Sequence, residues 1–438
     1  MSKSPSPKRK PGYKKILLTT LILILLAAGL RFALPWGMPS GQRYFDPVGE
    51  RELQRDELGQ FNFVYDHYSY MEITGDRFQG WDEAQVLRWR YGIAFGAYGM
   101  PSVAMISEDH HGPAFHTMRV MIEKMKSPKV WRDFVDYNMG EDPITHGNIM
   151  YKGHLNLMYG LYQYCSGDTT YEREYTWLTN RIVDEMRDHH MEGKHEGADC
   201  EPGRWFAQCN SISLLSLHLY DRLYGTDFTS EEVQWTLDFL KSRMVDEENG
   251  LYHAMYNSRD DFVDPWVSGY GNAWSLAFLR TLDPEFHEPL YQTWKEEFTG
   301  SIGPYGFVRE YTDGGPSPVA HLTGLLVAKE FGDVELFTKL RNSLDRKLKR
   351  DPAGNHQLYK GLNNPIYNAP VLWTKVHAGF GEILNHDWGP RELRQIPDVS
   401  TMTWIDVLPQ ELHLMDINAP LDNTDSHPQN PEPPDAET

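Results

Sequence analysis

The sequence contains few cysteines and few basic residues, and each shortage excludes a class of protein. Three cysteines in 438 residues are too few for a scaffold held together by disulfides. The 42 lysines and arginines are outnumbered by 62 aspartates and glutamates, which gives a net charge of −20. Because a nucleic-acid backbone is bound by clustered positive charge, this balance argues against a nucleic-acid partner. Hydrophobic residues still make up 40% of the chain, so most of it can form a folded core.

Several motifs for nucleotides and nucleophiles are also missing. The sequence has no glycine-rich phosphate loop, no dinucleotide-binding fingerprint and no serine-centred nucleophile elbow. A reaction without a cofactor is therefore the simplest expectation.

The N-terminal region is predicted to contain a membrane helix. Basic residues are concentrated in residues 1–15, and the apolar run 16–36 contains a single charge, Arg31. As a helix this run would be about 31 Å long, enough to cross a bilayer. A cleaved signal peptide and an uncleaved signal anchor both fit, and the length of the run favours the anchor. The basic flank predicts a cytoplasmic N-terminus and a membrane-anchored, periplasmic or otherwise extracytoplasmic remainder.

The rest of the chain is interpreted as a helical repeat between two flanking segments. Residues 37–80 are expected to be a linker and N-terminal arm, and residues 418–438 a disordered acidic tail. Within residues 81–417, an apolar helical stretch that ends in a short turn with aspartate recurs every 50 to 59 residues. Strand signals are scarce. These turn aspartates, which we expect to cap the helices that follow, are Asp109, Asp168, Asp227, Asp283, Asp333 and Asp387.

Six helical hairpins predict an all-α fold, a closed (α/α)6 barrel. The alternative is an open α-solenoid that binds a partner on its concave face. The loops between the hairpins are long and rich in glycine, aromatic residues, histidine and cysteine, which a scaffold does not need. This composition favours an enzyme.

One loop, residues 199–210, concentrates reactive side chains. Cys200 and Cys209 bracket Glu201 and several aromatic residues just before a predicted helix. A thiol at a helix N-terminus can exchange a proton, because that position favours its thiolate. Two other interpretations remain open: a disulfide between the cysteines, and a metal site that combines Cys200 with the nearby His189, His190 and His195.

A second set of candidates lies on apolar helical stretches. His154 and Met150 are four residues apart and so share one helix face. A histidine there is often a hydrogen-bonded core residue, but imidazole also suits acid–base work near neutral pH. Aromatic, glycine-rich stretches around Tyr91 and Tyr270 would suit the walls of a pocket for an apolar substrate with one polar group.

Four segments of the sequence resemble one family. They are NIMYKGHLNLMYGLYQ at 148–163, the Cys-Glu-Pro to Gln-Cys-Asn-Ser segment at 200–211, YDRLYGTD at 220–227 and KVHAGFG at 375–381. The family is that of the bacterial linalool dehydratase/isomerases, and the resemblance covers roughly residues 81–384. It implies an (α/α)6 barrel, assembled as a ring-shaped homo-oligomer, that acts on monoterpenes without a cofactor in the periplasm. The implied reactions are the reversible hydration of myrcene to linalool and the isomerisation between linalool and geraniol.

The resemblance also implies roles for particular residues. Cys200, Cys209, Glu201 and His154 would be active-site residues. Asp66 is the best match to an aspartate that a neighbouring subunit lends to the alcohol or water. The residues that would line the pocket are Tyr91, Met150 and Tyr270. The implied chemistry is dehydration, hydration and hydroxyl migration at an allylic alcohol, with a proton donor among His154, Cys209 and Asp66, and with Cys200 as the first candidate for the base.

Two other functions remain as alternatives. A glycoside-cleaving barrel would need two carboxylates across its cavity, for which Glu201 and Asp313 are candidates. A membrane-tethered ring that binds an apolar ligand without changing it is the other. Residues 303–317 depart from the family, and so the physiological substrate is left open.

Overall fold

The structure is a computed structural model that describes residues 20–22, 41–73, 86–136, 140–193, 195–346, 348–350, 355–359, 365–389 and 392–408. Apart from residues 20–22, the predicted membrane segment 16–36 lies outside these ranges, as does the predicted tail 418–438. Within the described ranges, none of the helices combines the length and the apolar character that a membrane span requires.

Helices dominate the described residues, and short strands connect some of them. The helices are α1 (Arg55–Ile73), α2 (Val86–Ile106), α3 (His111–Met125), α4 (Pro128–Asp136), α5 (Ile149–Ser166), α6 (Glu172–Glu192), α7 (Ala207–Tyr224), α8 (Glu232–Arg243), α9 (Gly269–Leu279), α10 (Pro284–Phe298), α11 (Pro318–Glu330), α12 (Val334–Asp345), α13 (Pro365–Val376), α14 (Phe380–Asn385) and α15 (Trp404–Val407). Short 3-10 helices cover Gly41–Tyr44, Val48–Glu50 and Glu108–His110. The mostly helical fold predicted from the repeat is confirmed.

Six of these helices form a closed inner ring. Helices α2, α5, α7, α9, α11 and α13 each pack against the next, and α13 returns to pack against α2. An outer layer covers them: α3, α6, α8, α10 and α12 follow the first five inner helices, and α1 packs against α13 and α3. Alternation of inner and outer helices is the arrangement that six hairpins in a ring require.

The close packing of α2 against α13 explains two glycines in the aromatic stretch of α2. A Cβ atom added to Gly96 would lie 2.7 Å from the Cβ of Ala369, and one added to Gly99 would lie 3.0 Å from the Cα of Trp373. Helices α2 and α13 can therefore approach each other only where α2 lacks side chains. This contact closes the ring.

The short strands occur where the chain passes from an outer helix to the next inner helix. β1 (Arg204–Phe206), β2 (His253–Asn257) and β3 (Phe262–Val267) form one antiparallel sheet in that order. β4 (Thr299–Ile302) pairs with β5 (Tyr305–Val308), and β6 (Leu348–Arg350) with β7 (Gln357–Tyr359). Inner helices α7, α9, α11 and α13 each begin soon after such strands. The N-terminal ends of the inner helices thus share one end of the ring with the long loops.

The tight turns at the other end bear out part of the capping prediction. Asp283 and Asp333 are the N-caps of α10 and α12 and accept hydrogen bonds from Phe286 N and Leu336 N. Asp168 is not the N-cap of α6, whose N-cap residue is Tyr171; instead its carboxylate accepts from the backbone N–H of Thr170. At the turn before α8, Asp221 rather than Asp227 accepts the backbone N–H groups of Phe228 and Thr229.

Part of the segment expected to be a linker and arm belongs to the outer layer. On α1, buried Asp56 bonds Arg341 at 2.7 Å and Lys375 at 3.1 Å, which attaches the helix to α12 and α13. Burial works to raise the pKa of Asp56, but the charges of Lys375 and Arg341 outweigh it and lower the pKa to about 2. The ion cluster holds α1 in place.

Candidate active site

The predicted site residues gather at the end of the ring where the inner helices begin. Tyr91 lies near the start of α2, Met150 and His154 in the first turns of α5, and Cys209 and Tyr270 in the first turns of α7 and α9. A closed ring brings these first turns together, although the residues are spread over 180 positions of the chain.

The imidazole of His154 is fully buried, and only one of its two ring nitrogens has a hydrogen-bond partner among the described residues. Its Nδ1 lies 2.6 Å from the hydroxyl oxygen of Tyr98 on α2. Its Nε2 is buried and has no hydrogen-bond partner among the described residues. Burial, with a smaller contribution from the charge of Arg90, lowers the pKa of His154 to about 3. The ring is therefore neutral at physiological pH, and it can exchange a proton only through Nε2.

Aromatic rings surround His154. The ring centroids of Tyr91, Phe95 and Trp274 lie 5.8, 5.6 and 5.6 Å from that of His154. The hydroxyl of Tyr91 contacts the sulfur of Met150. A small recess opens beside this group, and its lining residues are Phe95, Trp274, Phe278, Leu322, Thr323, Leu326, Trp373 and Thr374. An apolar wall of this kind suits a hydrocarbon substrate and can stabilise a cation by its ring faces.

The two loop cysteines form a buried thiol pair. A tight turn at Gly203, with φ of +75°, lets the backbone N–H of Cys200 bond to Arg204 O at 2.8 Å. This turn places Cys200 Sγ 2.9 Å from Cys209 Sγ in the first turn of α7. Both are free thiols, so the disulfide interpretation does not describe this state. Burial, the neighbouring Cys200 sulfur and the charge of Glu201 raise the pKa of the Cys209 thiol well above its ordinary value.

The thiol pair and the aromatic group belong to the same site. The pKa of Tyr91 is raised by burial and then by the charges of Cys209 and Cys200. The same two cysteines, after burial, contribute to raising the pKa of Tyr270. Met150, whose sulfur contacts the Tyr91 hydroxyl, also packs against the buried cluster that includes both cysteines, and this contact connects α2 and α5 with the cysteine loop.

Two predicted acidic residues lie at the surface. Glu201 pairs with Arg204 at 2.9 Å, and its side chain is 43% exposed. Asp66 is 56% exposed on α1 and bonds Nε2 of His356 at 2.6 Å. Asp313, the other carboxylate considered for glycoside cleavage, is also exposed. Within one chain, the structure places neither Asp66 nor Glu201 in contact with His154.

Glu310 is a site residue that the sequence did not indicate. It lies after β5, and its carboxylate accepts hydrogen bonds from the Ser268 hydroxyl at 2.6 Å and the Tyr270 backbone N–H at 3.3 Å. The charge of Glu310 also contributes to the raised pKa of Tyr270. A hydrogen bond from Gln208 to Tyr270 acts in the opposite direction and lowers that pKa. A carboxylate at the N-terminus of α9 is favourable there. No local signal in the sequence links a residue before α11 to the start of α9.

The family model described as linalool dehydratase/isomerase matches residues 90–364, which is more than half of the chain. The chain belongs to the linalool dehydratase/isomerase family. The matched span includes His154, both loop cysteines, Glu201 and Tyr270, and it begins after Asp66.

Solved structures similar to this chain include three carbohydrate-related proteins. They are the GH76A alpha-1,6-mannanase from Salegentibacter sp. HEL1_6 (13% identity, 73% of this chain and 99% of that chain, TM-score 0.46), a family 105 glycoside hydrolase from C. acetobutylicum ATCC 824 (11%, 71% and 98%, 0.41) and Dfg5 from Chaetomium thermophilum in complex with glucosamine (12%, 72% and 83%, 0.40). These likenesses are distant.

Near the cysteine loop, the structure brings together a different set of possible metal ligands from the set predicted from the sequence. Among the described residues, a group that has suitable donor atoms close together consists of His189, His195 and Asp199. It includes neither Cys200 nor His190, since Cys200 faces Cys209 and His190 pairs with Glu196. Neither thiol belongs to this group.

Proposed function

We propose that this member of the linalool dehydratase/isomerase family is a cofactor-independent hydro-lyase and isomerase of an allylic, monoterpene-like alcohol. The observation that carries the proposal is the neutral, buried His154 with an unpartnered Nε2, enclosed by aromatic rings next to a free thiol pair. Such a site has proton-exchanging groups but little else that is polar, which matches a substrate with a single hydroxyl group.

Dehydration in this site would begin with protonation of the substrate hydroxyl. Cys209 keeps its proton because its pKa is raised, so it is the thiol that donates. The C–O bond then breaks with both electrons leaving on oxygen as water, and the faces of Tyr91 and Trp274 stabilise the allylic cation. The step takes Cys200 as the thiolate of the pair, which accepts a proton from carbon, becomes a thiol and leaves the alkene.

The short distance between the two thiols allows the site to return to its starting protonation state. After one turnover Cys209 has lost a proton and Cys200 has gained one, and the 2.9 Å separation allows direct transfer back. Neutral His154 positions the hydroxyl or the released water through Nε2. Addition of that water to the other end of the allylic cation, with loss of one proton to the Cys209 thiolate, gives the isomerised alcohol.

The proposed function also includes the assembly of the subunits and the cellular location of the protein. We infer a ring-shaped homo-oligomer in which Asp66, exposed on the outer-layer helix α1, reaches the site of a neighbouring subunit. The basic and then apolar sequence of residues 1–36 supports a membrane anchor with an extracytoplasmic catalytic domain.

Gas chromatography of the full-length protein incubated anaerobically with linalool, geraniol or myrcene tests the activity. We expect product from the wild type, and none from Cys200→Ala or Cys209→Ala, which should remain folded. Cys165→Ala is the matched control, because Cys165 is also a buried thiol but lies three turns along α5 from His154. Full activity of both loop variants would exclude this mechanism.

The same samples separate the two alternatives. Cleavage of a mannan oligosaccharide that depends on Glu201 and Asp313 but not on the cysteines would establish glycoside hydrolysis. Saturable binding of linalool without any product would indicate a ligand-binding ring.

A further inference from the structure

A group of metal-type donors lies beside the thiol pair but outside the proposed reaction. One ring nitrogen each from His189 and His195 and one carboxylate oxygen of Asp199 all lie within 4.8 Å of one another. His189 lies in the last turn of α6, and Asp199 immediately precedes Cys200. The three residues therefore connect an outer helix to the loop that carries a reactive thiol.

His195 is the residue whose surroundings call for a ligand. Its side chain is only 1% exposed, and its Nδ1 has no hydrogen-bond partner among the described residues. Its Nε2 lies 3.1 Å from Asp199 Oδ1, so the two side chains either pair directly or share a cation. A buried ring nitrogen left unpaired is costly, and a cation bound by the imidazole beside Asp199 would remove that cost.

The second histidine is oriented as a metal ligand would be. His189 Nδ1 lies 2.9 Å from the carbonyl oxygen of Gly197, and since a carbonyl only accepts, Nδ1 carries the hydrogen. Its Nε2 therefore presents a lone pair. Histidines that bind metals typically donate their other N–H to a carbonyl or carboxylate in this way. The two imidazole rings are 4.3 Å apart between centroids.

The remaining contacts of Asp199 tie the group to the active site. Its Oδ2 accepts the backbone N–H of Gly203 at 3.1 Å, in the turn that positions Cys200. Its backbone carbonyl accepts the N–H of Ile149, the first residue of α5, at 3.0 Å. An ion held by Asp199 Oδ1 would thus restrain both the thiol loop and the start of the helix that carries His154.

We propose that His189, His195 and Asp199 bind a zinc ion that fastens the end of α6 to the loop carrying Cys200. Two imidazoles and one carboxylate are a donor set that zinc accepts, with a fourth position left for water. The ion has a positioning role, and its binding does not depend on the proposed reaction.

Calorimetric titration of the metal-depleted full-length protein with zinc chloride tests the site. We expect one equivalent to bind the wild type, and equally the Cys200→Ser/Cys209→Ser double variant, since the thiols are not ligands. His195→Gln and His189→Gln should each weaken binding by at least about tenfold. His190→Gln is the matched control: His190 is adjacent in sequence but stacks on Trp235 and pairs with Glu196, so its loss should change nothing.

Thermal unfolding is a second measurement, and it also shows whether each variant is folded. Zinc should raise the Tm of the wild type and of His190→Gln but not that of His195→Gln, while all three melt alike in chelator. If His195→Gln fails to fold, the half-buried His189→Gln decides the result. The proposal is overturned if the wild type binds no zinc, if a histidine variant binds it unchanged, or if binding is lost with the thiols.

Discussion

The hydroxyl oxygen of Tyr98 on α2 and Nδ1 of His154 on α5 lie 2.6 Å apart, and they join two neighbouring inner helices at the site. This bond leaves only Nε2 of the imidazole free for a substrate. The orientation of His154 therefore depends on a residue that itself does not touch the recess.

Tyr98→Phe should lower kcat for linalool conversion by about 10- to 100-fold with little change in KM, because the imidazole loses its fixed orientation. Tyr151→Phe is the control, since Tyr151 is equally buried on α5 but donates its hydroxyl to Met125 O at 2.6 Å. Both variants lose a buried hydrogen bond, at about 1–3 kcal/mol of stability. Equal loss of activity in the two would contradict a positioning role.

His154 should make the folded protein sensitive to acid. Its pKa is about 3 when folded and 6.5 as an ordinary histidine, so the unfolded chain takes up the proton first. Stability that is present above pH 6.5 is then lost as the pH falls toward 3. Urea unfolding at pH 7 and pH 5 should show wild type losing about 2 kcal/mol more than His154→Gln over this interval. Identical pH dependence of the two proteins would contradict the low pKa.

Asp56→Asn should destabilise the protein by about 3–5 kcal/mol, because Lys375 is left buried without its ion-pair partner and Arg341 keeps only Asp345. The pKa of Asp56, about 2, lies below its ordinary 3.8, so its contribution is present above pH 3.8 and is lost as the pH falls through 2. Urea unfolding at pH 7 measures the difference, with exposed Glu50→Gln as the control. A loss below about 1 kcal/mol would show that the cluster does not hold α1.

Glu310→Ala should reduce turnover by about tenfold, whereas Glu310→Gln should keep most of it. The amide oxygen of glutamine can accept from the Tyr270 N–H, and the Ser268 hydroxyl can rotate to accept from the amide nitrogen, whereas alanine leaves both groups unpaired at the start of α9. Steady-state kinetics of the two variants measure the difference. Glu296→Ala, on the exposed face of α10, is the control. If both Glu310 variants lose the same activity, the negative charge rather than the hydrogen bonds is what matters.

Much of the helical fold and several site residues were predictable because their signals are local. The apolar stretch of α5 shows helical spacing, and turns with aspartate mark the hairpins in the sequence itself. The sequence indicated Cys200 and Cys209 by their place at a predicted helix start and His154 by its place on an apolar helix, and the structure brings them to one end of the ring.

Other features depended on contacts that no local pattern records. Asp56 bonds Arg341 across 285 positions of the chain, and Glu310 bonds Ser268 across 42. The metal-type group includes Asp199 in place of Cys200, because the turn at Gly203 directs the thiol toward Cys209 instead.

The sequence by itself determined the helical repeat, the family and the candidate site residues, because periodicity and residue type are properties of short segments. Only the tertiary structure decided the protonation state of His154, the 2.9 Å contact of the thiols and the place of Glu310 beside Tyr270. Burial and proximity set those properties, and both arise only when distant segments pack into one ring.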